Sequence, residues 1–424
     1  MAEPLHSDAP TDTDSTSTSF GYRVLRRLGA AFTFRDFRVL WLGAFTSTTG
    51  SWMQQVAQRW LVLTMTGSAF FLGLDSFLAQ LPILLFTLIG GVIADRKDRR
   101  YLLIGSQYVQ MTSAFILAAL VYFDIVQLWH ILLLSFVSGC GQAFGGPAYQ
   151  SLLPALVPKQ TLPNAIALNS IQFNLARVFG PLIAGITLAA LGTAACFGLN
   201  GLSFFVVIIA LMSLRVKHVP PTNQRSMMEE LRGGLSYVKH EGALLTLTIL
   251  AFMTTFLGLP LLTLLPVVVE NVFQEGVEQY SQMLAFSGTG AVIGALIVAW
   301  LGKFKRMGLT LLCVQIAFGV IIVAFSFSRV MLLSELLLLL SGATLIIVFS
   351  LVTSLVQLSV PNELRGRVMS IFMLAFRGGM PLGDLMGGTL ANQISATFVL
   401  TVNGTLLVVV ACYFLVRSHG IREL

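Results

Sequence analysis

Charged side chains are scarce in this chain. Asp, Glu, Lys and Arg make up 11% of its 424 residues, whereas 56% of the residues are hydrophobic. Soluble globular domains carry roughly 25% charged residues, so this composition excludes a water-soluble enzyme or binding domain. The formal net charge is +7. Its basic residues lie in short loops between apolar runs rather than on one polar face, so we expect no nucleic-acid partner.

Cysteine and histidine are also few. The four cysteines, Cys140, Cys196, Cys313 and Cys412, are far apart in apolar stretches, which excludes a disulfide framework. The five histidines lack metal-ligand spacing, so we expect no metal site, no catalytic residues and no cofactor. A G-x-x-x-x-G-K-[ST] loop is absent, so the chain does not hydrolyse ATP by itself.

Long hydrophobic runs are what the sequence has instead. About 20 apolar residues cross a bilayer as a helix, and a backbone in hydrocarbon must satisfy its own hydrogen bonds. The sequence therefore predicts an all-α membrane protein with twelve transmembrane helices in two pseudo-symmetric six-helix bundles. The predicted spans are 39–63, 69–94, 101–123, 128–149, 165–190, 196–214, 243–269, 279–301, 308–327, 331–358, 367–391 and 396–416.

Basic residues indicate the orientation, because Lys and Arg are enriched in cytosolic loops. All but four of the 26 basic residues fall before the first span, after the last span or in the even-numbered loops, and the exceptions are Arg59, Arg177, Arg329 and Arg377. We therefore expect a multi-pass protein of a bacterial inner membrane with both termini in the cytosol.

The first and second halves of the chain contain similar segments at matching positions. VPKQTLPNAIAL, from Val157, follows the fourth span, and VPNELRGRVMSI, from Val360, follows the tenth. Two related halves are typical of transporters, whose substrate site lies near midplane between them. We predict a disordered tail at 1–20, a six-helix bundle at 21–214, a linker with an amphipathic helix at 215–242, and a second bundle at 243–424.

Charged residues within the spans are the best candidates for function, because a charge there normally faces protein or water. Arg59 and Asp75 should lie at similar depth and could form an ion pair, either a proton-sensitive outer gate or a static bridge. Arg177 and Arg377, each followed four residues later by proline, could bind an anionic group or pin helix backbones. Asp384 is a candidate proton carrier or a vestibule residue.

Polar uncharged residues should complete a central cavity. Thr48, Ser51, Gln55 and Gln58 form one stripe on the first span. About half of these polar residues are expected only to form hydrogen bonds between neighbouring helices. Glu335 is expected at a solvated helix start, and His130 is the histidine to examine for an enzyme. The other substrate or coupling candidates are Gln142, Thr255 and Gln357.

GGVIADRKDRR, from Gly90 to Arg100, resembles the loop motif of the major facilitator superfamily. The resemblance implies that Gly91 permits close helix approach, that Asp95 ends the second helix, and that Arg99 and Arg100 enter a charge network that latches the halves together. Asp98 stands where the family usually has glycine.

Longer stretches are similar to one subgroup, which contains the enterobactin exporter, the macrolide efflux proteins and the transmembrane secretion effectors. These are WMQQVAQRWLVLTMTGSAFFLGL, GQAFGGPAYQSLLPALVPKQTLPNAIALN, ARVFGPLIAG and VPNELRGRVMS. In ARVFGPLIAG, Gly180, Pro181 and Gly185 resemble the antiporter glycine–proline motif. The resemblance implies that they pack the fifth helix against the second half. The arginine that many drug antiporters place in the fourth helix is absent.

The sequence therefore predicts a secondary, proton-coupled exporter of a small amphipathic molecule, such as a drug or siderophore, working by alternating access. Its partners would be a small-molecule substrate, protons and the lipid bilayer, and we expect a monomer. The export direction comes from the resemblance. A lipid or lysolipid translocator of the same fold remains an alternative, as does, from another class, a membrane-embedded enzyme or sensor.

Overall fold

The computed structural model describes residues 29–96, 98–215, 235–361 and 364–418, and in these ranges all regular secondary structure is helical. The expected tail at 1–20 and most of the linker at 215–242 lie outside the described residues. A short 3-10 helix, Ala30–Thr33, precedes the long helices. These are α1 Arg35–Thr66, α2 Ala69–Arg96, α3 Arg99–Tyr122, α4 Leu128–Leu152, α5 Leu162–Leu191, α6 Thr193–Met212, α7 Gly242–Phe273, α8 Val277–Leu301, α9 Met307–Phe327, α10 Met331–Ser359, α11 Arg365–Gln393 and α12 Ala396–Arg417.

Each helix lies within a few residues of its predicted span. Among the described residues, eleven helices are long and apolar enough to cross a membrane. Helix α1 is the long helix outside that group, because it begins with Arg35, Asp36 and Arg38 and carries the polar stripe through its middle. It is held by packing against α5 and α6 rather than by its own hydropathy.

Helix α7 has irregular hydrogen bonding just before Pro260. A π-helical turn, Thr254–Gly258, ends just before Pro260, and a second one, Val269–Phe273, ends the helix. Proline has no N–H to bond to the carbonyl four residues earlier, so the turn before it widens. The widened turn packs against α11.

The two halves pack in the same way. In the first half α2 contacts α4, α3 contacts α4 and α6, and α1 contacts α5. In the second half α8 contacts α10, α9 contacts α10 and α12, and α7 contacts α11. The halves meet along α2 with α11 and along α5 with α8, which are equivalent helix pairs.

The two ends of the bundle differ in their cores. We call the end where α1 begins and α12 ends the terminal end, and the other end the distal end. One hydrophobic cluster at the distal end joins both halves and includes Leu63, Leu72, Leu261 and Tyr280. At the terminal end each half has a separate cluster, one between Ala31 and Leu214 and one between Val238 and Phe372. Among the described residues, the halves therefore share one hydrophobic cluster at the distal end and have separate clusters at the terminal end.

Candidate transport site

The seam between α2 and α11 closes the distal end. The added Cβ of an alanine at Gly388 would stand 2.6 Å from the Ala69 carbonyl oxygen, so the backbones approach closely there. Three polar contacts cross this seam. The Ser68 hydroxyl donates to the Asn392 amide oxygen at 2.7 Å, the Ser76 hydroxyl donates to Asp384 at 2.5 Å, and the Gln80 amide donates to the Met380 sulfur at 2.9 Å.

The seam between α5 and α8 is built from small residues. A Cβ at Gly185 would lie 3.1 Å from Cβ of Ser281, and one at Gly288 would lie 2.7 Å from the Arg177 carbonyl oxygen. Gly180 instead faces α1, close to the Thr49 carbonyl, and Pro181 is buried beside it. Gly185 therefore packs on the second half, and the expectation for Gly180 is wrong in this state.

Two adjoining cavities lie inside the first half. The deeper one has a volume of about 250 Å³ and is lined by α1, α2, α3, α4 and α6. The larger one, of about 550 Å³, lies toward the terminal end, and Arg377 of α11 is the second-half residue in its lining. Amide side chains dominate both walls: Gln54, Gln55, Gln58, Gln80, Gln107, Gln110, Gln142, Gln150, Gln172, Asn169, Asn174 and Asn200. The volume of the larger cavity is within the range of small-molecule sites.

Asp75 is the acid in the deeper cavity and it is fully hydrogen-bonded. Both of its carboxylate oxygens accept from the Gln58 amide, at 3.0 and 2.9 Å, and one also accepts from the Ser135 hydroxyl at 2.5 Å. The cluster joins α1, α2 and α4, which all belong to the first half. Gln58 is also bonded to Ser135, so the three side chains form a closed triangle.

The expected ion pair between Arg59 and Asp75 does not form. Among the described residues, the ion pair with a nitrogen–oxygen distance of 4.0 Å or less is formed by Arg35 and Asp36. Arg59 is buried and its guanidinium donates to the backbone carbonyl of Leu262 in α7 at 3.2 Å, so it bridges the halves instead. The oxygens of the Asp75 carboxylate accept hydrogen bonds from Gln58 and Ser135 rather than from Arg59.

Asp384 lies in the distal seam rather than in a vestibule. Its side chain is 0% exposed. One carboxylate oxygen accepts the Ser76 hydroxyl, and the other has no hydrogen-bond partner among the described residues. Ser76 also lines the deeper cavity, next to Asp75. One hydroxyl therefore separates the buried carboxyl from the cavity wall.

The two midplane arginines differ in their surroundings. Arg177 is buried and its guanidinium lies over the ring of Trp52, 5.7 Å from the ring centroid, which is cation–π geometry. Arg377 is exposed within the bundle and lines the larger cavity. Neither guanidinium has a described carboxylate within 4.0 Å. Trp52 lines the same cavity, so both cations stand at or behind its wall.

The uncharged polar candidates for cavity lining in the second half do not line the two cavities described above. The Thr255 hydroxyl donates to carbonyls of its own helix, at Ala251 and Phe252, and the residue is fully buried against α11. Thr353 likewise bonds its own helix, at Phe349. Gln357 is exposed near the terminal end of α10. The expectation that Thr255 lines a cavity is wrong, because a threonine in a helix readily bonds its own backbone.

The loop motif after α2 acts within the first half. The Arg99 guanidinium donates to the Ser151 carbonyl at 3.0 Å and that of Arg100 to the Met212 carbonyl, so these cations cap the ends of α4 and α6. Asp98 caps α3 by accepting from the Arg100 N–H at 2.9 Å, so the position needs no glycine. The Asp95 side chain lies outside what the structure describes.

Arg99 and Arg100 donate to carbonyls of their own half, and the latch between the halves stays a prediction, because the Asp95 side chain lies outside what the structure describes. The expectation for Gly91 is wrong in this state. A Cβ at Gly91 would meet nothing within 4 Å, whereas one at Gly90 would lie 2.5 Å from the Ala143 carbonyl oxygen. Gly90, rather than Gly91, therefore permits the close approach of α2 to α4.

Glu335 and His130, the remaining two residues singled out in the sequence, both form hydrogen bonds near helix starts. Glu335 is buried, not solvated, and it accepts from Gln279 and Gln282 of α8 at 2.8 and 2.9 Å. His130 accepts the Gln127 backbone N–H at 3.0 Å and caps α4. This histidine serves as a helix cap.

Comparison with known proteins identifies the family. The model of the transmembrane secretion effector family matches residues 29–420. The chain belongs to that family. Members and relatives of the transmembrane secretion effectors share low identity with it along almost the whole length. The staphyloferrin A transporter of Staphylococcus aureus is 28% identical, over 89% of this chain and 96% of that protein, and the macrolide efflux protein A of Streptococcus pyogenes is 22% identical, over 88% and 94%.

Solved structures show the same fold for this transmembrane secretion effector. A bacterial homolog of the human lysosomal transporter Spinster, inward-facing and occupied, has a TM-score of 0.72 at 14% identity, covering 91% of this chain and 97% of that one. The nucleoside transporter NupG has a TM-score of 0.72 at 12% identity, covering 90% and 99%. The fold is that of the major facilitator superfamily, and the protein is a membrane transporter rather than an enzyme.

Several lining residues escaped the sequence-based prediction. Ser135, Gln80, Gln107, Gln110 and Asn200 all line the cavities. The signal was available, since an amide within an apolar span seeks protein or water. These residues lie on several helices and form no stripe like that of α1, so the sequence does not show that they line the same cavities.

Proposed function

We propose that this protein is a secondary exporter that carries a small amphipathic molecule across the membrane by alternating access, driven by proton entry. The observation that carries the proposal is the division of the hydrophobic core. The halves share one cluster at the distal end and have separate clusters at the terminal end. Two halves joined by a shared core at one end, with separate cores at the other, are what one state of an alternating-access cycle requires, and the larger cavity, which Arg377 of the second half also lines, lies toward the terminal end.

The direction of transport rests on three supports. Basic residues concentrate at the terminal end, which the positive-inside rule assigns to the cytosol. The larger cavity lies toward that end, so substrate would enter it from the cytosol. The macrolide efflux protein and the enterobactin exporter, to which the chain is similar, support the same direction.

The proton path is proposed to run through Asp384. A protonated carboxyl costs far less to bury than a carboxylate, so closure of the distal seam favours a proton on this side chain. The Ser76 hydroxyl links Asp384 to the deeper cavity, where the proton would leave toward the terminal end. Arg59 and Asp75 are the charged residues in the lining of the deeper cavity.

The test uses inverted membrane vesicles, in which export appears as uptake. Staphyloferrin A, enterobactin and a macrolide are offered with a proton gradient, with the gradient collapsed by an ionophore, and in vesicles from cells lacking the protein. The expected result is accumulation of at least one compound that requires both the protein and the gradient. Protein-dependent accumulation that survives collapse of the gradient would overturn the proton coupling.

A further inference from the structure

An apolar slot adjoins the larger cavity and belongs to both halves. It has a volume of about 370 Å³ and lies between α2, α4 and α11. Its walls are made by Ile83 and Leu84 from α2, Pro147 from α4, and Met369, Met373 and Leu374 from α11. These side chains are apolar, in contrast to the amide-rich cavities of the first half, and Thr87 and Ser370 add two hydroxyl groups to the lining.

Arg377 stands where the slot meets the larger cavity, since it lines both. Its guanidinium donates no hydrogen bond to a described residue, and no described carboxylate lies within 4.0 Å of it. Gln142 and Gln150, which also line both spaces, present amide groups at the same junction. A cation with free donors beside amide groups is suited to an anionic group of a ligand.

We propose that the slot is a subsite for the apolar chain of an amphipathic anion, whose anionic group is held by Arg377 and the neighbouring glutamines. This inference deepens the proposed function and rests on it, because it names the substrate class for the same site. The positive charge of Arg377 favours a ligand with an anionic group. The apolar wall favours an apolar chain, because a charged or strongly polar tail there would lose its water without gaining hydrogen bonds.

Gly146 is the position chosen for filling the slot. It lines both the slot and the larger cavity, and a Cβ at this position would meet nothing within 4 Å. Gly146→Leu is therefore expected to occupy this space without a clash at its Cβ. Gly105 is the matched control, because it is a helical glycine exposed on α3 with equally open surroundings. Met373→Gln is a second variant, which keeps the side-chain length and makes the slot wall polar.

Binding is measured with the full-length protein in lipid nanodiscs and with three probes that carry one fluorophore. These are a labelled dodecanoate, its uncharged amide and a labelled butanoate. The parent protein should bind dodecanoate more tightly than both other probes. Arg377→Gln should weaken dodecanoate binding about tenfold, the scale of a charge-assisted hydrogen bond, and leave the amide unchanged.

Gly146→Leu and Met373→Gln should each weaken dodecanoate binding about tenfold or more and leave butanoate binding unchanged, whereas Gly105→Leu should behave like the parent. Parent protein that binds the amide as tightly as dodecanoate would overturn the anionic site. Equal binding of dodecanoate and butanoate, or wild-type affinity in both slot variants, would overturn the slot. The assay contains no gradient, so a failure of proton-driven export would leave its result intact and count against the proposed function alone.

Discussion

The Ser76 hydroxyl donates a 2.5 Å hydrogen bond to the Asp384 carboxyl across the seam between the halves. Asp75, the residue before Ser76, is held by Gln58 and Ser135 within the first half. Two consecutive residues of α2 therefore serve different purposes. One belongs to the interior of a half, and the other joins that half to its partner in the distal seam.

Ser76→Ala should loosen the distal seam. Loss of this hydrogen bond should shift the balance between closed and open distal ends by about 1 to 2 kcal/mol, roughly five- to thirtyfold in the equilibrium constant. The measurement is the rate at which a membrane-impermeant thiol reagent labels a cysteine placed in the deeper cavity from the distal side. Ser341→Ala is the control, since that buried hydroxyl bonds only its own helix, at Leu338. Equal labelling of the Ser76 variant and its parent would contradict the prediction.

Asp384→Asn should uncouple transport from the proton gradient without unfolding the protein. Asparagine has the same shape and its amide oxygen still accepts the Ser76 hydroxyl, but it cannot release a proton. Gradient-driven uptake into inverted vesicles should fall to the level seen with ionophore, while exchange of labelled for unlabelled substrate continues. Asp75→Asn is the comparison variant. If gradient-driven uptake persists in Asp384→Asn and is lost in Asp75→Asn, the coupling role belongs to Asp75.

Gly73→Val should hold the distal end open. A Cβ at this position would collide with the Asp384 backbone carbonyl, and backbone cannot move aside as a flexible side chain can. Transport should be lost while the amount of protein in the membrane stays normal, and distal labelling of the deeper cavity should increase. Gly198→Val is the matched control, because a Cβ at this position would meet nothing within 4 Å. Full transport by the Gly73 variant would show that α2 and α11 need not approach so closely.

A cross-link between Ser68→Cys and Asn392→Cys should lock the state described here. The two native side chains are hydrogen-bonded at 2.7 Å across the distal seam, so a short thiol-specific linker can join their replacements. The four native cysteines are first replaced. Cross-linking should stop transport, and cleavage of the linker should restore it. Continued transport by the cross-linked protein would count against separation of α2 from α11 during the cycle.

The sequence alone determined the number of helices, their class and their approximate ends. Hydrocarbon imposes this, because each span must satisfy its backbone locally and must be long enough to cross. The paired order of motifs, with Arg177 and Arg377 at matched positions, also indicated two related halves, and the packing of equivalent helix pairs agrees with it. Depth along the membrane followed from counting residues from a loop.

Only the tertiary structure decided which side chains meet. Counting gives a residue's depth but not the direction in which it faces or the helix beside it. Arg59 and Asp75 were placed at one depth, yet Arg59 bonds the Leu262 carbonyl and Asp75 bonds Gln58 and Ser135. The neighbours of Asp384 and the separate clusters at the terminal end likewise depend on how two bundles dock. Docking is a non-local balance of packing that a single apolar span does not encode.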